Sequence, residues 1–247
     1  MLGDYSGGRL RGCVKSRESG SNATSPLVPT VSACEHLCCR AVKLLLLGAT
    51  GGTGRQLLSQ ALEAGHQITA LVRRPEKLNA REHLLVRAGD ATDPESVDIA
   101  VAGQEAVLSA LGVRSPLGDD LITPSLRALV PAMQKHGVTR LIWLSALGVG
   151  QTRKQAPAML RVPFSSVLRR IGRDKAAGEE YLRSTDLDWT LVYPPALTNG
   201  PRRSSYRSGE TVDVKGLPRI SRADVAEFML AQLDEAAYIR RNAIVSP

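Results

Sequence analysis

A glycine-rich segment that follows a run of four leucines carries the clearest chemical signal in the chain. The segment reads Leu44-Leu-Leu-Leu47 and continues as Gly48-Ala-Thr-Gly51-Gly-Thr-Gly54. In a strand–turn–helix unit, this spacing permits a tight turn, a close approach of backbone to a pyrophosphate, and close packing of the helix on the strand. The helix N-terminus then offers free N–H groups and a positive dipole end to phosphate. The spacing predicts a dinucleotide site, and the alternative is a tight turn without a ligand.

Basic residues stand where such folds recognise the ribose of the cofactor. In an NAD site, a carboxylate about 20 residues after the glycines holds the ribose 2′-hydroxyl. This sequence instead has Arg73-Arg74-Pro-Glu-Lys77. A guanidinium there would bind a 2′-phosphate through charged, often bidentate hydrogen bonds, although basic residues in a surface turn can also be merely solvated. We therefore expect NADP(H) as the cofactor.

Further turns are expected to border the cofactor, because open α/β sheets bind ligands beyond the carboxyl ends of their strands. Asp90 could accept a hydrogen bond from the adenine amine, and Leu111-Gly112 would let backbone pass beside the cofactor. The predicted cofactor-binding residues are Gly48, Thr50, Gly51, Gly52, Thr53, Gly54, Arg73, Arg74, Lys77, Asp90, Ala91, Leu111, Gly112, Ser145 and Lys175.

Short β-rich runs alternate with amphipathic helices, which indicates an α/β fold with a doubly wound parallel sheet of the Rossmann type. The predicted strands are 43–47, 67–72, 84–88, 106–109, 140–145 and 189–193, and the predicted helices are 53–64, 94–101, 121–136, 173–184 and 221–233. Gly65 and Gly137 predict helix C-caps. Ser221 followed by Asp224 predicts a helix N-cap.

One domain is expected over 42–247, since no repeat and no linker divides this range. Two insertions, 148–171 and 198–218, are rich in Pro or Arg and follow predicted strands. We expect them to form a small lid on the substrate side of the sheet.

The first 41 residues differ from the rest of the chain. They are rich in Ser and Gly, lack apolar periodicity and hold all four cysteines, so we expect 1–41 to be a poorly ordered extension. A metal site at Cys34, Cys38 and Cys39 is a weaker alternative, because it lacks the two paired ligands typical of structural zinc. No metal ligand is therefore included in the predicted site.

Composition limits the classes of partner. The formal net charge of +8, from 32 Lys and Arg against 24 Asp and Glu, suits a phosphate-bearing ligand or nucleic acid. Aromatic residues make up only 4%, which leaves few rings for base stacking, so nucleic acid is not the expected partner. No run of 18 apolar residues is present, and no membrane partner is expected. A cysteine-free body suits a reducing compartment, and we expect a cytoplasmic monomer or weak dimer.

Several motifs occur in a fixed order through 42–247: Gly48 to Gly54, Val72-Arg-Arg74, Gly89-Asp90, Val101-Ala-Gly-Gln104, Ser145, Asp188-Trp-Thr-Leu-Val-Tyr-Pro-Pro195 and Ser221-Arg-Ala-Asp224. In this set the chain resembles the atypical short-chain dehydrogenase/reductases. The most similar type is the NAD(P)H-binding group that contains biliverdin reductase B, a flavin reductase, and NmrA-like proteins.

The resemblance implies catalytic positions that this chain fills only in part. The larger family pairs a Tyr with a Lys four residues later, whose charge lowers the phenol pKa for proton transfer. Lys175 is present, but Ile171 precedes it by four residues and Tyr181 follows it by six. In the biliverdin reductase B type, a serine corresponds to Ser145, while two histidines fall on Lys175 and Ala196. We expect Ser145 and Lys175 to be catalytic, and tetrapyrrole reduction is not simply carried over.

Two functions remain open. The first is an NADPH-dependent reductase that transfers hydride to a small planar electron acceptor, such as a flavin, a quinone or a related pigment, since direct hydride transfer depends more on positioning than on a protein acid. The second, implied by the NmrA-like resemblance, is a redox-sensing regulatory module that binds NADP(H) without turnover.

Overall fold

The structure is a computed structural model, and it describes residues 40–112, 120–155, 166–214, 216 and 218–247. The possible metal site at Cys34, Cys38 and Cys39 lies outside the described residues, as does nearly all of the extension 1–41. Within the described ranges, no helix has both the length and the apolar character needed to cross a bilayer.

The described residues form ten strands and five α-helices, which alternate through most of the range. The strands are β1 (Lys43–Leu47), β2 (Gln67–Val72), β3 (Leu84–Ala88), β4 (Ala106–Ser109), β5 (Arg140–Leu144), β6 (Asp188–Tyr193), β7 (Ala196–Thr198), β8 (Arg207–Gly209), β9 (Arg219–Ser221) and β10 (Arg241–Ser246). The helices are α1 (Gly52–Glu63), α2 (Pro94–Val101), α3 (Ile122–Lys135), α4 (Ser166–Arg183) and α5 (Arg222–Ala231).

The main sheet has the strand order β3-β2-β1-β4-β5-β6-β10-β8. All of its pairings are parallel except that between β10 and β8, and a second sheet pairs β7 with β9. Helices α1 and α5 pack together on one face, while α2, α3 and α4 pack on the other. This arrangement confirms the predicted doubly wound fold.

Strand β1 shows why the central strands are continuously apolar. Leu45 and Leu47 pack with α2, α3 and α4, whereas Leu44 and Leu46 pack with α1 and α5, and all four are at most 1% exposed. Both faces of a parallel sheet are covered by helices, so both alternating sets of side chains must be apolar. Burying each leucine stabilises the fold by roughly 1.5–3 kcal/mol.

The helix ends follow the predicted signals. Gly65 and Gly137 lie directly after the C-caps of α1 and α3 in left-handed conformation. The Ser221 side chain accepts from the backbone N–H of Asp224 at 2.9 Å and begins α5. Both predictions of capping are confirmed.

The two segments predicted to form a lid, 148–171 and 198–218, contain more regular structure in their described parts than the sequence indicates, and residues 156–165, 215 and 217 lie outside the described residues. Helix α4 begins at Ser166, inside the predicted lid segment 148–171, and continues through Gly172. A glycine inside a helix costs only about 1 kcal/mol relative to alanine, so Gly172 does not end α4. Strands β7, β8 and β9 are only three residues long, and the apolar run of β10 is limited to residues 243–245, so these strands have a weaker sequence pattern than the predicted ones.

Candidate functional site

The glycine turn joins β1 to α1 and is held by steric contacts that exclude larger residues. The Gly51 N–H donates to the Gly48 carbonyl at 2.9 Å. A Cβ on Gly54 would overlap the Gly48 carbonyl oxygen, and a Cβ on Gly48 would lie 2.6 Å from the carbonyl oxygen of Ala110. The backbone of the turn, the first turn of α1 and the end of β4 therefore touch, as close packing at a nucleotide turn requires.

The N-terminus of α1 fits a phosphate group. Its N-cap residue, Gly51, has no side chain to bond the first N–H groups, and the first turn holds no acidic residue. The positive end of the helix dipole is therefore not offset from within the helix. The predicted residues of this turn, which lie at the β1–α1 junction, are Gly48, Thr50, Gly51, Gly52, Thr53 and Gly54.

Arg222 adds a cation to this turn that sequence reasoning missed. It is the first residue of α5, and a Cβ on Gly52 would lie 2.7 Å from its Nε and 2.8 Å from its Cδ. Its Nη1 donates to Asn199 Oδ1 at 2.6 Å, which fixes the guanidinium. The side chain of Arg222 thus occupies the space that a larger residue at position 52 would need, directly at the start of α1.

The basic residues expected to bind a 2′-phosphate follow β2. Arg73, Arg74 and Lys77 are all exposed, and none forms an ion pair with another described residue. Because β2 pairs with β1 in parallel register, with Leu47 opposite Leu71, this turn and the glycine turn lie at the same edge of the sheet. The structure thus brings both predicted parts of the phosphate site to neighbouring strand ends.

The turns after β3 and β4 have local structural roles. Asp90 Oδ1 accepts from the backbone N–H and the hydroxyl of Thr92, at 2.9 and 2.8 Å, so this carboxylate orders its own turn. Ala91 packs into the core, and Leu111 packs against it. A Cβ on Gly112 would meet nothing within 4 Å, so no steric contact of the described residues requires glycine there.

At the end of β5, Ser145 belongs to a buried polar network. Its hydroxyl forms a short hydrogen bond with Glu179 Oε1, and its backbone N–H donates to the Val192 carbonyl at 2.8 Å. The Tyr193 hydroxyl donates to Glu179 Oε2 at 2.8 Å. Arg183 lies 3.6 Å from the same Oε2 and donates to the Tyr193 oxygen at 2.9 Å. Glu179 is fully buried.

Neither Glu179 nor Arg183 was predicted as a site residue. The weak signal for Glu179 is its position four residues after Lys175, which places both on one face of α4. Burial, followed by the negative charge of Glu179, raises the pKa of Tyr193. This direction is opposite to the one that proton transfer near neutral pH requires, so Tyr193 does not replace the missing family tyrosine.

Lys175 is half-buried on α4 between two acidic neighbours. Burial lowers the pKa of its ammonium group, and the charges of Glu179 and Asp174 oppose that shift. The residue is therefore not the solvated helix lysine that is the usual alternative. Glu179 interacts with both Lys175 and Ser145, and their common catalytic role stays a prediction.

A groove of about 640 Å³ lies between α2, α3 and α4. Its lining includes Arg127, Arg170 and Arg173, and the Nε of Arg170 donates to Asp120 Oδ1 at 3.1 Å. No residue of the predicted cofactor site lines it, so the groove is separate from the residues singled out by sequence.

Comparison with known proteins identifies the type of nucleotide site. A family model described as NAD(P)H-binding matches residues 48–236, which include the glycine turn, the basic turn and most of the sheet.

Two curated relatives cover most of the chain. The uncharacterized protein YwnB of Bacillus subtilis is 27% identical over 201 residues, covering 78% of this chain and 92% of its own. The reductase pytE of Aspergillus terreus is 26% identical over 239 residues, covering 77% of this chain and 90% of its own. Among solved structures, ChuY, an anaerobilin reductase of Escherichia coli O157:H7, superposes with a TM-score of 0.69 at 22% identity, covering 82% of this chain and 96% of that one. This last likeness shows the fold.

Proposed function

The chain belongs to the NAD(P)H-binding family, and we propose that it is an NADPH-dependent reductase whose acceptor is a small planar molecule of the flavin, quinone or pigment class. The single observation that carries the choice of NADPH is the exposed group of Arg73, Arg74 and Lys77 beyond β2, beside the glycine turn. A 2′-phosphate offers these side chains a charged partner, whereas a 2′-hydroxyl does not. A relative named as a reductase, pytE, supports the reaction class.

The residues present fit a dinucleotide. The uncapped start of α1 and the Arg222 guanidinium provide positive groups for a pyrophosphate, and the close backbone contacts at Gly48 and Gly54 fit a turn that must lie against a ligand. When bound, NADPH supplies the hydride for reduction. The protein then has to orient the cofactor and the acceptor and exclude water from between them.

Ser145 and Lys175 are assigned to the reacting end of this site. Ser145 directly follows β5, at the sheet edge where β1 and β2 lead into the glycine turn and the basic turn, and Lys175 on α4 lies near Glu179, to which Ser145 is hydrogen-bonded. The ammonium group of Lys175 can stabilise the negative charge that an acceptor gains on taking up hydride. Its partial burial strengthens that interaction, because less water screens it.

Arg73→Ala tests the cofactor assignment. A hydrogen bond to a charged group contributes about 1.5–3 kcal/mol, and exposure of Arg73 places it toward the lower value. We expect about a tenfold loss of NADPH affinity and no loss of NADH affinity in fluorescence titrations. Arg81→Ala, which removes another exposed arginine near β3, is the matched control. Equal losses for both cofactors would assign Arg73 a structural role.

The reaction class is tested by NADPH oxidation with FMN, menadione or biliverdin as the acceptor. Turnover with at least one of them is the expected result. Tight NADPH binding without turnover would contradict the reductase and favour the redox-sensing module. Such a module would retain different partner proteins in pull-downs performed with NADP+ and with NADPH.

A further inference from the structure

Glu179 is a buried carboxylate that hydride transfer itself does not use. Both of its oxygens are hydrogen-bonded to hydroxyl groups, one from Ser145 and one from Tyr193. Its ion-pair partner Arg183 is only 13% exposed and is fixed by Asn242 Oδ1 at 2.7 Å. Burying such a charge is costly unless it is paired and hydrogen-bonded, and the four elements that meet here supply these partners.

The directions of the hydrogen bonds follow from the donors available. Arg183 can only donate, so the Tyr193 oxygen accepts from it and the Tyr193 hydrogen is directed to Glu179. Glu179 is ion-paired with Arg183 and accepts at its second oxygen as well. The single hydrogen of the Ser145 hydroxyl is therefore directed to Glu179 Oε1.

In this arrangement, the Ser145 side chain can accept a hydrogen bond from a ligand but cannot donate one. A serine hydroxyl has one hydrogen to donate and two lone pairs that accept. With the hydrogen held by Glu179 and the backbone N–H bonded to Val192, Ser145 has no donor left for a ligand at the end of β5. A ligand group that bonds to the Ser145 oxygen has to be an N–H or O–H donor.

We infer that Glu179 is a positioning residue that fixes Ser145 as a hydrogen-bond acceptor for the carboxamide NH2 of the nicotinamide ring. The inference rests on the proposed function, which places the nicotinamide end of the cofactor at β5. It also means that Ser145 does not donate a proton to the carbonyl oxygen of the acceptor. Ser145 selects the cofactor's orientation, and Glu179 acts only through it.

The 3-acetylpyridine analogue of NADPH tests this role by binding alone. In it a methyl group replaces the amide nitrogen, so the carbonyl is kept and the N–H donors are lost. From the net contribution of a hydrogen bond between uncharged groups, we expect the protein to bind NADPH about three- to tenfold more tightly than the analogue in calorimetric titrations. Ser145→Ala should abolish this preference.

Glu179→Gln should also abolish the preference, because the glutamine amide N–H can donate to the Ser145 oxygen. The hydrogen of the Ser145 hydroxyl is then directed toward the ligand. Tyr193→Phe is the matched control, since it removes the other hydroxyl from Glu179 and leaves the bond to Ser145 in place. This variant should keep the preference. If the network only supports the fold, the preference for NADPH over the analogue should change equally in Glu179→Gln and Tyr193→Phe. That result would overturn the inference.

Other outcomes separate this inference from the proposed function. Absence of NADPH binding by the unchanged protein would overturn the proposed function. NADPH binding without any preference over the analogue, or a preference kept in folded Glu179→Gln, would overturn the role of Glu179. If Glu179→Gln does not fold, a preference kept in Ser145→Ala overturns it equally. FMN carries an N–H and menadione does not. If Ser145→Ala changes only the KM for FMN and not that for menadione, the hydrogen-bond donor to Ser145 is the electron acceptor. This result would overturn the carboxamide assignment.

Discussion

Replacing Asp174 by alanine should loosen the start of α3, because this carboxylate on α4 caps that helix from outside. Its oxygens accept from the backbone N–H groups of Leu121, Ile122 and Thr123 at 2.9, 2.8 and 2.9 Å. The N-cap residue of α3, Leu121, provides no capping side chain of its own. Loss of a cap costs about 0.5–2 kcal/mol, and a buried N–H left without a partner, here that of Ile122, costs about 1–3 kcal/mol. The N–H groups of Leu121 and Thr123 are only part-buried, so we expect Asp174→Ala to lower the free energy of unfolding by about 2–4 kcal/mol.

Urea unfolding at several pH values measures this effect and its sign. Burial acts to raise the pKa of Asp174, but the hydrogen bonds from Thr123, Ile122 and Leu121 outweigh it and lower the pKa below its ordinary value. The stabilisation is therefore complete above about pH 4 and is lost as pH falls through the folded-state pKa. Asp186→Ala, at a fully exposed carboxylate, is the control and should cost under about 1 kcal/mol. A loss below about 1 kcal/mol for Asp174→Ala at pH 7 would refute the cap.

Two further predictions concern His66 and Arg222. His66 Nδ1 accepts from the Val42 N–H at 3.2 Å, and burial lowers its pKa. The unfolded chain therefore binds the proton more readily, and the melting temperature should fall as pH drops below about 6.5. This fall should be smaller in His66→Gln, and an equal fall in the unchanged protein and in this variant would contradict the prediction. In titrations, Arg222→Ala should lower the affinity for NADPH about tenfold, and Arg219→Ala is the control. The affinity for 2′-phosphoadenosine, which lacks the pyrophosphate, should stay unchanged. Equal losses of affinity for both ligands would contradict a contact between Arg222 and the pyrophosphate.

The nucleotide-binding half of the fold could be predicted because its signals are local. The apolar run at β1, the glycines and the C-cap glycine at position 65 lie within about 25 residues of one another. Each has one physical interpretation, and all agree on a strand, a turn and a helix. The observed β1, Lys43–Leu47, has the predicted bounds, and α1 differs from its prediction by one residue at each end.

Other parts of the site depend on residues that are distant in sequence. Glu179 lies in a charged stretch of α4 that is typical of a solvated helix, and only the fold brings it to Ser145, 34 residues earlier. Arg222 reaches Gly52 across the packing of α5 on α1, which no spacing in the sequence indicates. Strand β10 begins with Arg241 and Asn242, and its place in the sheet depends on the strands beside it.

The position of β10 between β6 and β8 has a consequence for the order in which the protein assembles during synthesis. Strand β8 precedes β10 in the chain, yet Ser208 pairs with Val245 and has no partner until that residue has been made. At about 5–20 residues per second, the ribosome needs roughly 2–7 s to add the intervening residues. Asn242, which fixes Arg183 beside Glu179, is added over the same interval. The strands beside the glycine turn can therefore pair during translation, whereas the network around Ser145, the proposed reacting end, is completed only after β10 has left the ribosome.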